Sequence, residues 1–355
     1  MFRCCTMVLG VLCLVFSGVS SVSAQTNVFN MGGTRDPVTG IWTGEASLEF
    51  VTVGDPGNAA DTSNGGHGSV PYVYQMGKYD VTVGQYCQFL NAVAKTDAYG
   101  LYNSGMATDM PTIKIAQSGS SGNYTYTVTG GCSQAANCPI FDVTWGDAAR
   151  FCNWLQNGQP TGVEGTGTTE TGAYTLNGNA TNWMAVTRNS TATYVIPSEN
   201  EWYKAAYYKG GGTNAGYWGY TTQSSTVPIN ILSTTGTNNA NYLIVNGWIY
   251  TDPTNYLTPV GAFSASPGPY GTYDMGGNVF QWNEADFFSS TRRGMRGGGF
   301  DAYSTYLASF DWFANDPMSV GSDVGFRVAS VPEPGSLSLL IGAAIIGLLW
   351  WRRHV

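Results

Sequence analysis

The chain has 355 residues, 43% hydrophobic and only 11% charged, enough apolar material for one large core or two smaller ones and too much for a chain disordered throughout. A formal charge of −8 offers no electropositive stripe for phosphates, which argues against a nucleic-acid partner. With 47 glycines, 22 tyrosines and 11 tryptophans, the composition points to a loop-rich body with aromatic packing and few long helices.

Residues 1–24 read as a secretory signal peptide: Arg3 leads, an apolar run follows from Met7 to Phe16, and Val22-Ser23-Ala24 makes a small-residue cleavage site before Gln25. A buried N-terminal helix is the alternative. Cys13 follows Leu12, where a lipoprotein signal needs a small residue, so lipid attachment is disfavoured. Residues 25–71 form a loop-rich leading segment, with strand-like alternation only around Leu48 to Val53. The oxygen-rich run from Gly54 to Gly66 lacks EF-hand spacing and reads as a polar loop.

From Tyr72 the pattern tightens into a strand, a turn at Gly77-Lys78, and a helix capped by Thr82 or Asp80. A second helix follows in TWGDAARFCNWL, with Thr144 as N-cap, Asp147 in its first turn, and Ala148, Phe151, Cys152 and Leu155 on one face. The Gly/Thr/Asn-rich stretch from Asn157 to Thr193 reads as a packed loop or small hairpin insertion. Next, YVIPSENEWYKAAYYKGGG supplies a short strand and a helix opened by a Ser198/Glu201 capping box and stopped by glycines. The Trp and Tyr residues around Trp202 and Tyr217 read first as core packing, with sugar stacking as the alternative.

Export leaves Cys87, Cys132, Cys138 and Cys152. Cys132 and Cys138 bracket a short polar loop and are expected to form a local disulfide in an oxidising compartment. Cys87 and Cys152 each sit on the apolar face of a helix, open to a bridge or to two inert buried thiols. Neither pair has zinc-site spacing. His67 lies in a Gly/Ser-rich loop and reads as solvated, while Glu199 and Glu201 are explained by helix capping.

Three late blocks carry more specific information: PYGTYDMGGNVFQW (Pro269 to Trp282), RGMRGGGF (Arg293 to Phe300) and GSDVGFRVAS (Gly321 to Ser330). Together with the earlier strand–helix blocks, in the same order, they resemble formylglycine-generating enzymes, the sulfatase-modifying factor family, over residues 72–330. The resemblance implies an irregular, loop-rich α/β fold related to C-type lectin-like folds, with few helices and short strands. It also implies an oxidase that converts a sulfatase cysteine to formylglycine with oxygen and a copper ion held by two thiolates. Here those two positions are Ala302 and Leu307, and Gly299 stands where the family has a serine. Copper is therefore not expected, and no catalytic residue is assigned.

Two calcium sites follow from the same resemblance. One would use the side chains of Asn241 and Asp252 with the carbonyls of Tyr242 and Thr254. The other would use Asp274 and Gln281 with the carbonyls of Gly277 and Val279. Gln281 replaces a glutamate and weakens the second site; Asp274, where the family can use asparagine, restores a charge. Metal-free turns are the alternative at both.

The tail, residues 331–355, reads Val331-Pro332-Glu333-Pro334, an apolar stretch from Leu337 to Trp351, and then Arg352-Arg353. It resembles a PEP-CTERM sorting signal, which implies a transient inner-membrane anchor, recognition by exosortase-type machinery and export in a Gram-negative bacterium that makes exopolysaccharide. A plain C-terminal anchor is the alternative. The sequence thus leads to an exported, non-catalytic family member that binds a glycan or matrix protein at the cell surface or in the matrix. The competing reading is the family's formylglycine-generating oxidase.

Overall fold

The computed structural model describes residues 47–332 apart from 179–181 and 288–290, together with 28–29, 33–35 and 42–43. The signal peptide, Glu333, Pro334, the apolar stretch beyond them and the terminal arginines lie outside the described residues. Among the described residues no helix is long and apolar enough to cross a membrane.

In chain order the elements are β1 (Val28–Phe29), β2 (Thr34–Arg35), β3 (Trp42–Thr43), β4 (Leu48–Val53), β5 (Tyr74–Gly77), α1 (Val83–Val93), α2 (Gly105–Thr108), β6 (Lys114–Ser118) and β7 (Thr125–Thr129). They continue with α3 (Trp145–Gln156), β8 (Tyr194–Val195), α4 (Glu199–Tyr207), β9 (Phe280–Phe287), β10 (Arg292–Arg296), β11 (Phe313–Asn315), β12 (Val324–Phe326) and β13 (Ala329–Ser330). The expected architecture of few helices, short strands and much ordered loop is present.

Three helices start where their side chains satisfy free backbone amides. Thr82 caps α1 with Gln85, Thr144 caps α3 with Asp147, and Ser198 caps α4 with Glu201, each as a reciprocal capping box. Residues 145–155 of α3 are all buried, so the helix is enclosed rather than one-faced.

Two sheets organise the rest. One has the order β1-β4-β5-β13-β8, the other β11-β10-β9-β12, in which β12 runs parallel to β9. The chain passes from the second sheet to the first between β12 and β13, at Arg327 and Val328. Arg327 is fully buried. Its guanidinium donates to Gly77 O at 2.7 Å, Tyr273 O at 2.7 Å, Asp80 Oδ1 at 3.1 Å and Gln281 Oε1 at 3.1 Å. Beside it, Phe326 closes an aromatic cluster with α1 and α3, its ring 5.3 Å from Phe151, which lies 5.3 Å from Phe89.

The leading segment is partly built into this frame: β4 pairs with β5, and the loop from Asn58 to Gly68 folds back toward α4. His67 consequently differs from its expected solvated state. Its side chain is 25% exposed, 3.9 Å from Glu199, with its ring 5.7 Å from that of Tyr203. Trp202, Tyr207 and Tyr208 are buried, as core packing requires. The stretch from Asn157 is a packed loop, held by a buried Arg150–Glu170 ion pair of 2.6 Å.

Removing Arg327 would leave the Asp80 carboxylate without its only counter-charge in the core. Arg327→Leu is expected to lower the unfolding free energy by about 3–5 kcal/mol, read from urea denaturation midpoints. A loss below about 1 kcal/mol would show that the two sheets do not depend on this contact.

Candidate functional site

The second sheet carries a cleft of about 270 Å³ at the end where β12 begins, lined among others by Phe280, Tyr306, Phe313, Asp301, Ala302 and Asp323. Phe280 comes from β9 and Phe313 from β11, with ring centres 5.4 Å apart; Tyr306 meets Phe280 edge-on at 5.7 Å. Phe313 is 38% exposed, so the aromatic wall is open to solvent. Asp323 immediately precedes β12 and accepts the Phe280 backbone N–H, which fixes it against β9. Asp301 follows the glycine-rich run after β10.

The two carboxyls lie close enough to shift one another's ionisation, an arrangement that favours one of them holding a proton. Burial, and then the Asp301 charge, push Asp323 up to about 7; burial also raises Asp301. Gly299 makes the approach feasible. A Cβ there would lie 2.8 Å from Asp323 Cβ and 3.3 Å from Asp301 Oδ1. The replacement of the family's serine is thus coupled to a carboxylate pair that sequence reasoning missed. The only signal was an acidic residue in each of two late blocks, 300–301 and 321–323, with nothing linear to link them.

Of the two positions expected to be degenerate, Ala302 lines the cleft, whereas Leu307 does not and is buried against Ala240 and Tyr242. None of the four described thiols lines this cleft. Cys87 and Cys152 are separate buried thiols. Cys132 and Cys138 are thiols rather than the expected bridge, but they are brought close enough to influence one another. That contact lowers Cys132 to about 6 and raises Cys138, whose burial pushes it further.

The two calcium sets differ in fit. In the first, Asn241 Oδ1 is buried with no partner, an acceptor a cation would satisfy, while its amide donates to Tyr256 O and Asn278 Oδ1. Asp252 Oδ1 caps its own turn by accepting the Thr254 and Asn255 amides at 2.9 Å, and Tyr242 O accepts from Asn230. Asp252 Oδ2 in turn accepts the Asn255 side-chain amide at 2.8 Å, so this set fits calcium in the orphaned Asn241 oxygen alone.

The second set does not fit. Gln281 Oε1 already accepts from Trp202 at 2.8 Å and Arg327 at 3.1 Å, and its amide turns to Asp274 O. Asp274 Oδ2 accepts the Gly261 amide at 2.6 Å. Arg327 thus supplies a positive charge beside these oxygens, and burial raises Asp274 to about 6. Gly277 serves close packing instead: at φ +89°, a Cβ would lie 2.2 Å from Asn241 O.

Residues 52–331 match the family described as sulfatase-modifying factor enzyme 1-like domain, and residues 330–353 match the PEP-CTERM protein-sorting motif. No curated protein matches the chain. Among solved structures it is similar to CarF, with 20% identity, a TM-score of 0.49, and coverage of 80% of this chain and 98% of that one. It is also similar to Treponema denticola variable protein 1, at 18% identity and TM-score 0.48, covering 85% and 100%. PvdO from Pseudomonas aeruginosa shares 17% identity at TM-score 0.41, covering 80% and 92%.

The aspartate pair sets a pH response. Because Asp323 in the folded protein lies near 7 rather than 3.8, the fold holds a proton that the unfolded chain releases between those values. Its contribution is therefore full at low pH and is lost as pH rises through about 7. Relative to Asp323→Asn, the wild type is expected to lose stability from pH 3.8 to about 7 and to run parallel above it, in urea midpoints taken across pH. Parallel curves throughout would mean that the carboxyls do not share a proton.

Proposed function

The chain belongs to the sulfatase-modifying factor family, and we propose that it acts there as an exported binding module rather than as the family's oxidase. The reading rests above all on the cleft beside Ala302, which is lined by carboxyls, aromatic rings and the single thioether of Met295, with no thiol among its described lining residues. The family's oxidase holds Cu(I) between two thiolates, and the one thioether here, Met295, is buried and does not replace such a pair. What the cleft offers is a ring face for apolar C–H groups and, opposite it, acceptors and a proton for hydroxyls. That combination suits a glycan of the matrix, with a matrix protein as the other candidate partner.

The PEP-CTERM motif implies recognition by exosortase-type sorting machinery and export to the cell surface in Gram-negative bacteria. Residence in the exopolysaccharide matrix is part of the proposal. In that oxidising setting the adjacent Cys132 and Cys138 thiols would close to a disulfide, stiffening the loop before α3. Calcium, where bound by the first set, would be held by Asn241, Asp252, Tyr242 O and Thr254 O, and its contribution would be structural.

Two assays bear on the central choice. Purified chain incubated with Cu(I), oxygen and a sulfatase-motif peptide is expected to leave the peptide cysteine unchanged by mass spectrometry. Conversion to formylglycine would establish the oxidase, and its loss in Cys132→Ser would trace it to the relocated thiol pair. On a glycan array the chain is expected to retain matrix-type sugars, and Phe313→Ala to weaken that retention roughly threefold to tenfold. An array blank at all sugars would remove the glycan reading.

A further inference from the structure

We propose that Asp109 and Asp142 form a divalent-cation site, of calcium type by its ligands, in the hollow that Gly105 leaves open. Asp142 is 1% exposed, yet its Oδ2 has no hydrogen-bond partner. Several other buried acids face a guanidinium: Asp80 meets Arg327, Glu170 meets Arg150 and Glu201 meets Arg188. Asp142 meets only further negative charge. Burial, Asp109 and Asp323 together push it up to about 7, and no basic group offsets them. An ionised carboxylate in that setting carries an uncompensated desolvation cost that a cation would remove.

The geometry gives the cation a place. Asp142 Oδ2 and Asp109 Oδ2 lie 2.7 and 2.9 Å from the point where a Gly105 side chain would begin, so two carboxylate oxygens from separate segments converge on one bare backbone. Asp109 is exposed, which leaves a route from solvent. No three acidic, histidine or cysteine side chains converge among the described residues, so carbonyl oxygens and water would complete the shell. A shell of that kind is what calcium accepts, since it takes six to eight oxygens with loose geometry.

The site is separate from the Asn241–Asp252 set and sits behind the cleft. Asp142 N–H donates to Gly321 O at 2.9 Å, two residues before Asp323. A bound ion would therefore fix the loop that presents one carboxyl of the cleft.

The test is calcium titration of the full, chelator-stripped chain by calorimetry, with thermal melts in calcium and in chelator. The wild type is expected to take up calcium. Asp142→Asn and Asp109→Ala should each weaken one site by about tenfold or more, while Asp252→Asn leaves that site unchanged. Calcium should raise the wild-type melting temperature by more than that of Asp142→Asn, which keeps only the Asn241–Asp252 set. In chelator Asp142→Asn should melt no lower than the wild type, because it removes an unmatched charge. If it does melt lower, Asp109→Ala, on the exposed side, decides the matter. Absence of uptake by the wild type, or wild-type titration by Asp109→Ala, would overturn the assignment.

Discussion

One buried guanidinium joins the two halves of this protein. Arg327 stands where the chain leaves the second sheet for the first, and its N–H groups reach the end of β5, the turn at Asp80, the carbonyl of Tyr273 and Gln281 of β9. A buried charge is tolerated only when its donors are satisfied, so the position of each acceptor is constrained by the others. The late glycine-rich loops, which have little regular structure of their own, inherit their placement from that constraint. So does the cleft, because Asp323 immediately precedes β12 and Phe280 opens β9, the two parallel strands that the Arg327–Gln281 contact holds together.

The same guanidinium accounts for the difference between the two calcium sets. Where the resemblance led to the expectation of a metal ion at Asp274 and Gln281, Gln281 is already the acceptor of two N–H donors and Arg327 supplies the positive charge. The Asn241 set has no such occupant and retains an orphaned oxygen. Replacement of glutamate by glutamine at position 281 is thus more than a weakened ligand. A neutral acceptor suits Trp202 and Arg327 together, with Asp80 left to balance the arginine.

The cleft shows a comparable linkage. At Gly299 a Cβ would crowd both Asp323 and Asp301, so a residue without one leaves room for the two to meet. Where the resemblance led to the expectation of a pair of thiolates, Ala302 lines a cleft of carboxyls and aromatic rings. Behind it, Asp142 extends the acidic field inward, with no arginine to meet it.

Much of the fold was legible in the sequence because its signals are local. Capping boxes need residues three apart, as at Thr144 and Asp147, and strand alternation needs neighbours two apart, as in Leu48 to Val53. The sorting motif was likewise readable as identities at fixed offsets. His67 was misread as solvated, since its burial depends on a loop folding onto α4. The aspartate pair, the Asp109–Asp142 hollow, the Cys132–Cys138 contact and the role of Arg327 depend on which groups face one another across distant segments and on how much water remains between them. Residue identity by itself determined family and caps; charge pairing and proton affinity were decided by tertiary structure, because both depend on distance and desolvation.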